Sequence, residues 1–316
     1  MTTAARAGHR VHRDIAYAAP AGRGHLLDLY VPASGGGPFP LVVFQAGSAF
    51  RSDDTKGGPP PGTAGDDEPL SAASLARRWT PHGYAVAGLN VRSSAQAPFP
   101  AQVHDVKAAL RHLRANAGRL GLDPGRFATM GTSSGGWVAT MAGVTSGDPR
   151  FEGGLGDAGH SSAVQAVIDL YGPTDFLAMD AHRPPGGQEH DPADSPESAL
   201  MGFPIRTRPD AVREANPAAH VTAGSPPIWI AHGTDDPYVP AHQSELLFAA
   251  YEAAGATATL TLVPRTGHTD TYLPSAARSA GRTVAHTTGG TTTRADGPAP
   301  TYDTLLAFLD EHLRRA

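Results

Sequence analysis

The chain has 316 residues, 40% of them hydrophobic and 17% charged, which is enough apolar material for a large core and too little charge for a disordered chain. Its net charge of −5 comes without any run of Lys or Arg, which argues against nucleic acid or an anionic membrane surface as a partner. With no cysteine present, disulfides, thiolate metal sites and a cysteine nucleophile are all excluded.

In chain order, Met1–Ala21 lacks the apolar stretch of ~7–15 residues that a secretory signal needs, and no segment reaches the ~18 apolar residues of a membrane span. The expectation is a soluble, cytoplasmic protein. Arg13–Ala18 and His25–Val31 alternate in polarity around the turn Pro20–Gly24 and read as an antiparallel opening pair. Pro40–Gln45 is a continuous apolar run, the pattern of a strand buried on both faces of a parallel sheet. From there strands and helices alternate. Tyr84–Asn90, Phe127–Met130, Ala163–Tyr171, Pro227–Ala231 and Thr257–Val263 read as strands; Ala101–Leu120, Gly135–Val144, Gln243–Ala254 and Tyr302–Arg315 read as helices. This alternation predicts one α/β domain, a mostly parallel sheet with helices on both faces.

Three stretches break the rhythm, at residues 51–71, 178–225 and 269–300, all rich in Gly, Pro, Asp, Thr or Ser. Each follows a strand end, where open α/β sheets bind ligands, so they read as lid-like walls of a substrate site. For Ala280–Pro300, with its Thr/Gly run, disorder or mobility is an equal expectation.

Gly131-Thr132-Ser133-Ser134-Gly135 lies between a strand and a helix and fits the G-x-S-x-G nucleophile elbow, in which small flanking residues let strand and helix approach while the serine projects outward. Ser134 adjoins, but only Ser133 has glycine two residues before and two after. A serine hydroxyl needs a base, and the base needs a carboxylate to hold its tautomer. In α/β-hydrolases these follow in the order Ser, acid, His. His268 lies just beyond the last core strand, and Asp235 and Asp236 both lie just beyond the strand before it. Acyl transfer also needs donors for the developing oxyanion; the backbone N–H of Ser134 is one, and those of Ser48 first and Ala49 second, in the loop after the first core strand, are the others. His232 and His104 read as structural or hydrogen-bonding residues. His190-Asp191 shows no ligand spacing, so no metal and no cofactor is implied.

Taken together, LDLYVP (Leu27–Pro32), AGSAFR (Ala46–Arg51), GYAVAGLNVR (Gly83–Arg92), FPAQVHDVKAALRHLRANA (Phe99–Ala117), MGTSSGG (Met130–Gly136), LYGPTDF (Leu170–Phe176), HGTDDPYVPAHQSELL (His232–Leu247) and Gly267-His268 resemble the bacterial ferulic acid esterase-like carboxylesterases, close to the hormone-sensitive-lipase-like esterases. The resemblance implies an α/β-hydrolase fold and places the acid on the last Asp of HG-x-x-D, Asp236. It implies a small-molecule ester substrate, cleaved without a cofactor through an acyl-enzyme on Ser133, and suggests Phe50, Tyr171 and Tyr238 as substrate-binding aromatics beside Tyr272. The family's His-Gly-Gly motif is replaced here by Gly47-Ser48-Ala49, a common Tyr is Val91, and Thr269–Pro300 lies outside the family core. A prolyl-type peptidase or amidase shares the elbow and acid loop, and a repurposed member that binds or rearranges a metabolite is the reading from another class.

Overall fold

Alternation along Phe39–Gln45 (β3) sends Leu41 and Val43 into one hydrophobic cluster and Val42 and Phe44 into another, so the sheet built on this strand has a core on each face. The computed structural model describes residues 8–19, 22–58 and 69–314. Its strands are β1 (His9–Ala16), β2 (Leu26–Pro32), β3, β4 (Ala85–Leu89), β5 (Leu122–Thr132), β6 (Ala166–Leu170), β7 (Ile228–Gly233), β8 (Ala258–Val263), β9 (Thr283–Thr288) and β10 (Thr291–Ala295). They form one sheet in the order β1-β2-β4-β3-β5-β6-β7-β8-β9-β10. The six strands from β4 to β8 in that order run parallel; β1, β2, β9 and β10 pair antiparallel at the two ends.

Helices cover both faces. On one, α2 (Ala101–Ala115), α4 (Ser134–Val144) and α8 (His242–Ala254) bury Val103, Leu110, Trp137 and Leu247 in a shared cluster; on the other, α1 (Ala72–Trp79) and α9 (Tyr302–Leu313) bury Leu75, Trp79, Leu305 and Leu309. Every residue of α4 is buried, since the helix packs between the sheet and the segments outside it. The shorter α3 (Ala117–Leu120), α5 (Pro149–Glu152), α6 (Pro196–Met201) and α7 (Pro209–Arg213) lie in the connections.

The expected strands and helices are present, with four corrections. Strand β1 begins at His9, ahead of the expected Arg13, and the expected helix 101–120 breaks at Asn116 into α2 and α3. Helix α1, unexpected from the sequence, starts on a capping box in which Ser71 and Ser74 exchange side-chain-to-backbone hydrogen bonds. The segment 283–295, read as wall or mobile loop, is a β-hairpin added to the sheet on β8, turning at Gly289-Gly290 with both glycines at positive φ. Part of the stretch 51–71 lies outside the described residues; in the described part, Thr55 and Lys56 N–H groups both donate to Asn90 Oδ1.

The segment 178–225 is anchored in the core rather than laid over it. Leu200, Ile205, Val212 and Ala215 are buried in the cluster around Trp137, and Trp137 Nε1–H donates to Ala215 O at 2.8 Å. Truncating a fully buried aromatic of this kind costs about 3–5 kcal/mol. Trp137→Ala is expected to lose that much in urea unfolding, and Trp137→Phe, which keeps most of the volume but orphans the Ala215 carbonyl, clearly less.

Candidate active site

Parallel strand ends align at one edge of the sheet, where Gln45 pairs with Gly131, Thr132 with Leu170, Leu170 with Ala231 and Gly233 with Val263. The loops that follow therefore meet. Ser133 leaves β5 at φ 53°, ψ −128° and its carbonyl accepts from Trp137 N in the first turn of α4, while its own N–H donates to Leu170 O. This sharp turn exists because a Cβ at Gly131 would lie 2.0 Å from Gly135 O, and one at Gly135 would lie 2.1 Å from Gln45 O.

Asp236, on the loop after β7, is 1% exposed and its carboxylate receives four donors. Tyr238 and Val239 N–H reach Oδ1 at 2.8 and 2.9 Å; His268 Nδ1 and His232 Nε2 reach Oδ2 at 2.6 and 3.1 Å. Burial alone would raise its pKa, but the hydrogen bonds from His232 and His268 outweigh it and hold the carboxyl well below the usual carboxylate range. Asp235, the alternative acid, is exposed and accepts from the Thr234 hydroxyl beside it. The close Nδ1 contact places a proton on that nitrogen of His268 and leaves Nε2 as its basic edge. Two rings flank His268: Tyr171 edge-on at 4.6 Å and Tyr238 at 5.5 Å between centroids. Tyr171 is buried and its hydroxyl donates to Asp270 Oδ2 at 3.0 Å; burial, then the Asp270 charge, push its pKa far up. Tyr238 is 54% exposed and Tyr272 is buried. Among the described residues no hydrogen bond joins the Ser133 hydroxyl to His268, a contact that often tightens only when substrate is bound.

The structure redistributes two of the expected roles. Ser48 N–H, the first choice as an oxyanion donor, is taken up by Ser134 Oγ at 2.9 Å, and Gly47 N–H by Thr132 Oγ1 at 3.0 Å. Phe50 is a core residue, packed edge-on against Trp137 and Phe176 at 5.4 and 6.0 Å. His232, read as structural or hydrogen-bonding, bonds Asp236 itself: its Nε2 faces two acceptors, Asp236 and Val239 O, and so carries the proton, while Nδ1 meets Ser244 Oγ at 2.7 Å. No sequence signal distinguished it beyond its place in HG-x-x-D. His104 lies apart, near Arg150 O, and His190 pairs with Glu197 at 3.0 Å. No group of three or more His, Cys, Asp or Glu side chains suited to a metal ion occurs among the described residues, and no helix among them is long and apolar enough to cross a membrane.

Behind the elbow, Asp169 on β6 is buried with two donors, Thr140 Oγ1 at 3.0 Å and Gly172 N–H at 2.9 Å. Burial dominates these bonds and raises its pKa from 3.8 to about 6. The folded state therefore holds a proton that the unfolded state has released, so stability falls as pH rises from about 4 through 6, by about 3 kcal/mol in order of magnitude. About half of that fall lies between pH 5 and pH 8, and Asp169→Asn is expected to remove most of it in urea unfolding at those two pH values.

The BD-FAE family model matches residues 27–251. Among curated proteins the chain is similar to LipM of Mycobacterium tuberculosis, a probable carboxylic ester hydrolase, at 31% identity over 163 residues, 51% of this chain and 36% of that protein. It is similar also to the esterase LipQ of the same organism, at 29% identity over 250 residues, 77% of this chain and 53% of that protein. The chain thus spans about half or less of the length of these relatives. Among solved structures, a truncated carbohydrate esterase from gut microbiota superimposes with a TM-score of 0.72 at 33% identity, covering 84% of this chain and 91% of that one.

Proposed function

Because this chain belongs to the BD-FAE family of ester-cleaving α/β-hydrolases, whose model covers most of its length, we propose that it cleaves a carboxylic ester of a small or aromatic molecule through an acyl-enzyme on Ser133. The observation that carries this reading is the hydrogen-bonded pair His268–Asp236 on the same sheet edge as a serine held in the elbow conformation. Ser133 Oγ attacks the ester carbonyl as its proton passes to His268 Nε2; the carbonyl π electrons move onto oxygen. Asp236 stabilises the imidazolium through Nδ1–H and stays ionised, as its depressed pKa requires. The oxyanion collapses, the alcohol leaves with the proton from His268, and water repeats the cycle on the acyl-enzyme.

Ser134 N–H, at the start of α4, and Ala49 N–H, neither with a protein acceptor among the described residues, are the backbone oxyanion donors in this reading. Exposed Tyr238, beside His268, is the aromatic wall against which a substrate ring would lie. The likeness to a carbohydrate esterase supports a sugar as the alcohol.

The test is intact-mass analysis after a fluorophosphonate probe, with turnover of p-nitrophenyl acetate and of hydroxycinnamoyl sugar esters. One adduct on the wild type, none on Ser133→Ala, and loss of turnover by about 10⁴-fold or more in the variant are expected, because the triad acts as a unit. Turnover that survives Ser133→Ala would move the repurposed-member reading to the front.

A further inference from the structure

Both loop amides nearest the nucleophile are bound to hydroxyls of the elbow. Gly47 N–H donates to Thr132 Oγ1 and Ser48 N–H to Ser134 Oγ, so the loop after β3 is fastened to the residue on either side of Ser133. The approach is close: a Cβ on Gly47 would lie 2.6 Å from Ser133 Cβ and 3.3 Å from Ser133 Oγ. Ser134 is 5% exposed, and its hydroxyl oxygen sits on the loop side of an N–H that opens α4.

A serine hydroxyl has one proton to give and two lone pairs to receive. Ser134 receives from Ser48, and among the described residues no group accepts its own proton. The N–H bond it accepts also polarises the O–H and strengthens it as a donor. A buried donor without an acceptor is costly, and this one belongs to the residue directly after Ser133, at the start of α4. An acyl-transfer site supplies an acceptor in the substrate carbonyl oxygen, and a stronger one once that oxygen becomes an oxyanion.

We propose that the Ser134 side-chain hydroxyl is an oxyanion donor, charged by the Ser48 amide and acting beside the Ser134 and Ala49 N–H groups. This rests on the serine-hydrolase reading of the site. The Ser48 amide thereby serves the transition state at one remove: N–H to Oγ, O–H to oxyanion. The arrangement also explains how a chain with Gly47-Ser48-Ala49 in place of His-Gly-Gly keeps three donors although two of its loop amides are occupied.

The test compares wild type, Ser134→Ala, Ser134→Thr and Ser133→Ala on p-nitrophenyl acetate, with a trifluoromethyl ketone as a probe whose hemiketal carries the oxyanion. Ser134→Ala is expected to lower kcat about 100-fold, the lower end for one oxyanion donor, with KM nearly unchanged and ketone affinity falling in step. Ser134→Thr, which keeps the hydroxyl, should recover most of both. An unchanged or raised kcat in Ser134→Ala would overturn the proposal, because the freed Ser48 amide would then be the donor and the hydroxyl only a latch. So would equal losses in Ala and Thr variants with KM rising, the signature of a displaced loop. Failure of the serine-hydrolase reading looks different: an unlabelled wild type, or a Ser133→Ala variant that still turns over, which would take the proposal down with it.

Discussion

Three backbones crowd together at the elbow more closely than side chains allow, and the site depends on that crowding. The carbonyl of Gly135 fills the place of a Gly131 Cβ, and the carbonyl of Gln45 that of a Gly135 Cβ. With β5, α4 and the end of β3 packed this tightly, Ser133 has no room to relax from φ 53°, a conformation costing about 1–3 kcal/mol for a residue with a Cβ. The strain is not local to it. Of the six non-glycine residues with positive φ among the described residues, Ala49, Phe50, Ser133, Tyr171 and Arg265 follow the ends of β3, β5, β6 or β8, and the sixth, Asp14, sits at the register shift within β1. Strain collects at the edge where the chemistry is assigned, and the sheet's long parallel core supplies the stability that holds it.

Two buried carboxyls show how the same fold sets opposite charge states a short distance apart. Asp236 receives four donors, two of them imidazoles, and is held ionised; Asp169 receives two, a hydroxyl and an amide, and burial lifts it toward neutrality. The two imidazole partners decide the outcome, because their hydrogen bonds to the charged form of Asp236 offset the cost of leaving water, which a hydroxyl and one amide do not do for Asp169. His232 matters in this light. It adds a second imidazole donor on Oδ2, and Val239 O and Ser244 fix its ring from the other sides, so the orientation of the acid does not depend on His268 alone.

What could be read from sequence was whatever is encoded within a few residues. Ser133 and His268 sit in short motifs at predicted strand ends, and the alternation of strands gave the order of the parallel strands, though β5 runs Leu122–Thr132 where only Phe127–Met130 was read as strand. Asp236 over Asp235 needed the family pattern, and the structure shows why: adjacent residues face opposite ways, one onto two imidazoles and one into solvent. The hairpin 283–295 was missed although Gly289-Gly290 between two Thr-rich alternations marks a two-residue turn; its low hydrophobicity, proper to an edge, disguised it as loop. Phe50 and the Ser48 amide could not be read at all. Whether an aromatic faces a pocket or Trp137, and whether an amide faces substrate or a neighbouring hydroxyl, is settled by contacts with residues some 85 positions away.

The segment 178–225 bears on how substrate reaches this edge. A lid is drawn from the weakly held parts of a protein, yet this segment buries Met179, Leu200, Ile205 and Ala215 in the main core and is tied to Trp137 through the Ala215 carbonyl. It also grips the acid loop: Gln188 N–H donates to Pro237 O at 2.7 Å, next to Asp236, and Arg51 reaches Asp194 O across from the loop after β3. Opening it would cost core contacts and disturb the loops that carry Arg51 and Asp236. These ties hold the segment fixed, and they join the packing of Trp137 to the loop that carries Asp236.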